Sequence, residues 1–219
     1  MATAKLSISV HSIRCVEETD EAGADEPYVL VFAADLSKTL AGFTAPVGAV
    51  ERYGPWEDTD KGEAKSVVLE GSAAAVALKK TFPHWRFPMP FWGIGGTPSA
   101  ISDPDDVVFL VQVMENDDAT ASDVRSLVNA QMVASLGGVV NSDMSRSDLV
   151  SHLRRAMRDA AEMARKTGIP NADDRVGGVK ELRLTASDLS KAAGGSHQKT
   201  LEFTGDGGKY RVRFEMRKV

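Results

Sequence analysis

The chain alternates apolar and polar positions over much of its length, and this pattern predicts strands. In residues 4–15, Leu6, Ile8 and Val10 are separated by polar neighbours, which is typical of a half-buried strand. Two apolar runs rich in β-branched and aromatic residues, 27–36 and 107–114, have the composition of buried strands. Further strands are predicted at 47–52, 65–70, 179–185, 200–204 and 210–216, and residues 73–80 fit either a strand or a short helix.

The period of the apolar pattern changes between residues 119 and 172, which predicts a helical insertion of 54 residues. A first helix is expected from Ser122 to the glycines at 137 and 138. The second helix, 147–167, carries an apolar stripe at helical spacing that begins at Leu149, and Gly168 closes it.

The last two predicted strands flank Gly205-Asp206-Gly207-Gly208, which is a strong hairpin signal. Many short strands with turn residues between them favour a sandwich or barrel over an alternating β/α fold. We therefore predict a mainly β fold, an antiparallel β-sandwich of about eight strands. The two-helix insertion at 119–172 would interrupt this single domain, which spans residues 1–219.

Composition and charge narrow the class of protein. Hydrophobic residues make up 42% and charged residues 26%, as in ordinary globular domains. A net charge of −5 counts against a nucleic-acid partner, which would need a basic patch. The single Cys15 excludes an intramolecular disulfide framework and fits a reducing compartment.

The start of the chain lacks the pattern of a signal peptide, and no apolar run has the length of a membrane-spanning helix. We therefore expect no transmembrane segment. The expected location is cytoplasmic, with peripheral attachment to a membrane and export without a classical signal as open alternatives.

Three acidic segments lie at the ends of predicted strands. Carboxylates that cluster without basic partners repel each other, and a bound cation is their natural neutraliser. Calcium takes about six to eight oxygen ligands, and loops at one end of a sandwich can supply them together. The acidic residues of the three segments are Asp20, Glu21, Asp25 and Glu26; Glu115, Asp117 and Asp118; and Asp173 and Asp174.

The stretch ISVHSIRCVEETDEAGADEPYVLVF resembles the opening of a C2 domain, the calcium-dependent phospholipid-binding β-sandwich. Asp20 stands six residues before Glu26, and Glu26 precedes Pro27-Tyr28-Val29. VFLVQVMEND places Glu115 and Asp117 at the two acidic positions of the family's other calcium loop, which Asp174-Arg175-Val176-Gly177 would close. The chain departs from the family in having Glu at positions 26 and 115 and a helical insertion within that loop.

This resemblance, over residues 4–118 and 173–219, implies a calcium-binding module that binds phospholipid headgroups or a protein partner in a calcium-dependent way. In the family, the bound ions bridge loop carboxylates to lipid phosphate. The implied calcium ligands are Asp20, Glu26, Glu115, Asp117 and Asp174, with Asp25, Asp118 and Asp173 as neighbours able to join or replace them.

Other functions stay open. The helical insertion sits where lipid would dock, so it could cap that end and mediate protein–protein contacts or oligomerisation without lipid binding. Trp85, Phe91 and Trp92 lie in a Pro-rich segment and predict either an exposed partner-binding patch or a loop packed over the sandwich. No motif for catalysis is present, so we expect no enzyme, with a hydrolase built from distant residues as a third alternative.

Overall fold

The computed structural model describes most of the β portion and both predicted helices. The described stretches are 4–19, 25–37, 39–40, 43–44, 46–66, 90–93, 100–116, 121–139, 142–166 and 173–219. Side chains are described throughout these stretches except at residues 39–40, 43–44 and 165–166. The predicted elements at 67–70 and 73–80 lie outside the described residues.

Strands dominate the described part of the chain. The strands are β1 (Leu6–Glu17), β2 (Pro27–Asp35), β3 (Thr39–Leu40), β4 (Phe43–Thr44), β5 (Val47–Tyr53), β6 (Ala64–Ser66), β7 (Val107–Glu115), β8 (Arg175–Glu181), β9 (Ser196–Gly205) and β10 (Gly208–Lys218). The helices are α1 (Ala121–Val139), α2 (Arg146–Lys166) and α3 (Ala186–Ala193), and a short 3-10 helix covers Pro104–Asp106.

Eight of these strands form two antiparallel four-stranded sheets. The first sheet has the order β6-β1-β10-β9, and the second has the order β5-β2-β7-β8. The short strands β3 and β4 pair only with each other in the described structure. The prediction of a mainly β chain with antiparallel sheets is thereby confirmed.

A hydrophobic core joins the two sheets. Ile8 and Phe214 from the first sheet share one buried cluster with Val31 and Val111 from the second. Side chains alternate between the two faces of a strand, so this core takes the odd-numbered positions of β2 and β7. The sheets therefore pack on each other, as the predicted sandwich requires.

The other face of the second sheet carries a helical layer, which consists of α1 and α2. Leu30 and Phe32 of β2 pack in one buried cluster with Val128 of α1 and Leu153 of α2. Every residue of β2 and β7 is therefore buried, which explains why these strands are continuous apolar runs rather than alternating ones. The assembly alternative placed the helical insertion over the end of the sandwich where lipid would dock. The described parts of the insertion instead cover a face of the second sheet.

Helix α1 also covers the free edge of the second sheet. The backbone nitrogen of Val50 in edge strand β5 donates to Asn129 Oδ1 at 2.8 Å. Arg125, one helical turn earlier, donates through Nη1 to the Val50 carbonyl at 3.3 Å. Two side chains thus satisfy edge groups that could otherwise pair with another chain.

The predicted hairpin is confirmed, because Gly205 pairs with Gly208 around a two-residue turn. Both turn residues have positive φ, 53° at Asp206 and 71° at Gly207, as such a turn requires. The strand predicted at 179–185 was wrong in its boundaries, since β8 spans Arg175–Glu181. The first helix ends at Val139, one residue beyond the predicted end near Gly137-Gly138.

Candidate functional site

The third acidic segment and the described parts of the first and second segments meet at one end of the second sheet. In the pairing of β2 with β7, Pro27 lies opposite Glu115. In the pairing of β7 with β8, Met114 lies opposite Arg175. The residues next to these positions therefore share one end of the sheet. We call them the acidic end: Glu26, Glu115, Asn116, Asp173 and Asp174.

Hydrogen bonds hold Glu26 and Glu115 against each other. Glu115 is buried, and its Oε1 accepts a hydrogen bond from the Glu26 backbone nitrogen at 2.6 Å. Asn116 donates through its backbone to the Glu26 carbonyl at 3.1 Å and through Nδ2 to Glu26 Oε2 at 3.0 Å. The Glu115 backbone nitrogen donates to the Asp174 carbonyl at 2.8 Å. These bonds tie all three chain segments together.

Asp173 faces the helical layer. Its Oδ2 accepts a 2.5 Å hydrogen bond from the hydroxyl of Tyr28, and both residues are buried. Tyr28 belongs to the cluster beneath the helices. Burial, and secondarily the hydrogen bond to the Asp173 carboxylate, raises the pKa of Tyr28. The phenol therefore stays protonated and acts as a donor.

Asp25 lies on the opposite side of the second sheet. Its carboxylate accepts hydrogen bonds from the Thr19 backbone nitrogen at 3.0 Å, from Thr19 Oγ1 at 2.7 Å and from the Tyr210 hydroxyl. Tyr210 belongs to the core between the sheets, whereas the Tyr28 partner of Asp173 belongs to the cluster under the helices. The predicted neighbours Asp25 and Asp173 are therefore not brought together.

The described residues give part of a possible ligand set. Among them, no group of three or more His, Cys, Asp or Glu side chains is arranged to hold a metal ion. The predicted ligands Asp20, Asp117 and Asp118 lie outside the described residues. The carboxylate and carbonyl oxygens of the acidic end have the chemistry that calcium prefers, so a full set of about six to eight oxygens needs those segments as well.

The aromatic residues of the predicted patch are buried where they are described. Phe91 and Trp92 are 5% and 2% exposed, and Trp85 lies outside the described residues. The Phe91 ring meets Phe109 edge-on with centroids 5.4 Å apart, and Trp92 meets the same ring at 5.4 Å. These two rings form part of the core between the sheets, which agrees with the packed-loop alternative and not with an exposed patch.

A second polar cluster was missed in the sequence. Asp188 Oδ1 lies 2.8 Å from His197 Nε2, and Asp188 Oδ2 accepts a hydrogen bond from Lys199 Nζ at 2.8 Å. Asp188 also forms a capping box with Thr185 at the start of α3. The spacing of Thr185 and Asp188 is the signal that could have predicted this helix. The cluster fixes α3 against β9.

Comparison with known proteins assigns no family, since no family model, curated protein or solved structure matches this chain. The fold itself defines the class: a mainly β protein with two antiparallel four-stranded sheets and a helical layer on one of them. Within the described part of the chain, no helix has the length and apolar character needed to cross a membrane.

Proposed function

We propose that this protein is a calcium-binding module of the C2 type, which uses calcium at the acidic end to bind phospholipid headgroups or a protein partner. One observation carries the proposal: Glu26, Glu115 and Asp174 come from three distant segments and are joined by backbone and side-chain hydrogen bonds. The C2-like spacing of Asp20, Glu26 and Asp117 in the sequence adds to it.

At the acidic end, the chain's own hydrogen bonds would hold two carboxylates in position for calcium. The Asn116 amide holds the Glu26 carboxylate in place, and the Glu26 backbone does the same for Glu115. Ligands held in place in this way lose little conformational freedom on binding. Bound calcium would supply positive charge, so that an end rich in carboxylates could attract phosphate or another anion.

Thermal melting with added calcium tests the proposal. At a calcium concentration 100-fold above Kd, the folded state gains about 2.7 kcal/mol, which raises Tm by roughly 5–10 °C for a chain of this size. The double variant Asp20→Asn/Asp117→Asn should lose this shift. The double variant Asp143→Asn/Asp159→Asn removes the same charge from exposed positions in α2 and in the loop before it, and should keep the shift. A wild-type Tm that calcium does not change would contradict calcium binding.

Vesicle sedimentation then separates the two kinds of partner. If phospholipid is the partner, the protein should sediment with anionic vesicles in calcium and stay in the supernatant with a chelator. A calcium-induced Tm shift without sedimentation would favour a protein partner.

A second candidate function, assembly through the helical layer, has its own support. Four large apolar side chains are exposed on α1, α2 and the loop between them, and contact with another copy of the chain would remove them from water. They are Leu127 at 36%, Val133 at 46%, Met144 at 39% and Met163 at 42%. Sedimentation velocity at increasing concentration tests it: Val133→Lys should abolish any oligomer, and a wild-type monomer at all concentrations would contradict this function.

A further inference from the structure

The outer face of the first sheet carries a cluster of three arginines. Arg14 of β1 lies directly opposite Arg211 of β10, and Arg213 lies two positions further along β10 on the same face. All three side chains are exposed. Residues paired in this way have Cα atoms only about 4.5–5.5 Å apart, so the guanidinium groups can meet above the sheet. We call Arg14, Arg211 and Arg213 the arginine cluster.

The charges of this cluster are not balanced within the described part of the chain. Arg211 shares Glu202 with Lys209, at 2.9 and 3.0 Å. Arg14 and Arg213 have neither an ion pair nor a side-chain hydrogen bond to any described residue. Like charges at directly opposite positions of a sheet are destabilising. In the described structure Glu202 compensates Arg211, so Arg14 and Arg213 keep charges that a bound anion would neutralise.

The neighbouring positions suit an anion that also accepts hydrogen bonds. Arg213 lies between Ser12 of β1 and Thr200 of β9 in the same row, and Ser12 lies opposite Ser66 of β6. The row thus offers hydroxyl groups on both sides of a guanidinium. Arginine binds phosphate oxygens through two parallel hydrogen bonds, which a lysine cannot do.

We infer that the arginine cluster is a binding site for a phosphate group, carried either by a soluble phosphate ester or by a phospholipid headgroup. Because the arginines are positively charged without a metal, binding here does not rest on the calcium proposal. The acidic end and the arginine cluster lie on different surfaces, since Glu115 is buried at a strand end and the arginines cover the outer face of the other sheet.

The experiment uses the whole chain in a calcium chelator at low ionic strength, with two probes. Inorganic pyrophosphate, followed by calorimetry and thermal melting, represents soluble phosphate. Phosphatidylcholine vesicles with and without phosphatidic acid, followed by sedimentation, represent a headgroup. The test variant is Arg14→Gln/Arg213→Gln. The matched control is Arg155→Gln/Arg158→Gln, which removes the same charge from exposed positions of α2.

We expect wild type and the control to bind at least one probe, and the test variant to bind it at least about tenfold more weakly. Binding of pyrophosphate identifies the source as soluble phosphate, and binding of phosphatidic acid vesicles alone identifies it as a headgroup. The inference is overturned if wild type binds neither probe. It is also overturned if both double variants lose binding equally, because the probe then responds to the overall positive charge and not to the arginine cluster. Circular dichroism of each variant checks that it folds.

Discussion

The hydroxyl of Tyr28 donates a 2.5 Å hydrogen bond to the carboxylate of Asp173, which lies 145 positions away in the chain. The bond joins the start of β2 to the segment that enters β8, on the side of the second sheet that the helical layer covers. Both residues are buried, so water cannot replace the bond. It fixes one of the acidic segments at the end of the sheet.

This bond should contribute measurably to stability. Tyr28→Phe removes the donor from a buried carboxylate, and we expect it to lower the free energy of unfolding by about 1.5–3 kcal/mol. Urea denaturation measures the change. A double-mutant cycle with Asp173→Asn isolates the pair, and single-variant effects that simply add would show that the two side chains are not coupled.

The sheet edge under α1 gives a second prediction. Asn129→Ala leaves the Val50 backbone nitrogen without its 2.8 Å acceptor, and we expect a loss of about 1–3 kcal/mol. Gln131→Ala, at an exposed position of the same helix, should change stability by less than about 0.5 kcal/mol. Equal effects of the two variants in urea denaturation would argue against edge protection by Asn129.

We expect the free energy of unfolding to fall in acid as Asp188 becomes protonated. Burial opposes its ionisation, but hydrogen bonds from Lys199, Thr185 and His197 outweigh this and hold the pKa of Asp188 below its usual range. Because the folded pKa is depressed, the carboxylate stabilises the fold fully above pH ~4, the unfolded aspartate value. The contribution is lost as the pH falls from there towards the folded value.

Asp188→Asn should therefore lower the free energy of unfolding by about 1.5–3 kcal/mol at pH 7 and make its decline below pH ~4 shallower. Urea denaturation at a series of pH values measures both effects. Asp159→Asn, at an exposed position of α2, serves as the control and should leave the pH profile unchanged. A wild-type profile in the Asp188 variant would contradict the role assigned to this carboxylate.

Cys15 should react slowly with thiol reagents. The residue is buried, and burial together with nearby carboxylates, Asp25 first among them, raises the pKa of its thiol to about 11 despite an opposing hydrogen bond with Tyr210. At pH 8 we expect labelling of the folded protein to be far slower than labelling in denaturant. A Ser151→Cys variant, with an added thiol at an exposed position, should gain one rapidly labelled group. Rapid labelling of wild type would show that Cys15 is accessible.

Much of the strand pattern could be predicted because it depends on local alternation and turn chemistry. The hairpin at Gly205–Gly208 is one example, since two positive φ angles restrict the residues that fit. The boundaries of β8 could not be predicted, because its pairing with β7 shifts register between Val111 and Val113. The shift falls at Gly177, whose φ is 77°, so the glycine pair at 177–178 signals an irregularity in the strand, but it does not say which residues of β7 it pairs with.

The candidate site was predictable only in part. Acidic segments at strand ends and the resemblance to C2 domains led to Glu26 and Glu115 at one end of a sheet, and the fold brings them into contact. The sequence could not separate Asp25 from Asp173, since the side of a sheet that a loop residue faces depends on partners such as Tyr210 and Tyr28. The arginine cluster could not be predicted from the sequence either, because Arg14 and Arg211 meet only through strand pairing.

By itself, the sequence determined that this chain is mainly β, where α1 and α2 interrupt the strands and which carboxylates lie at strand ends, because these properties follow from neighbours in the chain. The tertiary structure alone decided that α1 and α2 cover the second sheet, that Phe91 and Trp92 lie in the core, and which charged side chains meet. These outcomes depend on free energies of packing and pairing between segments far apart in sequence, which no local pattern encodes.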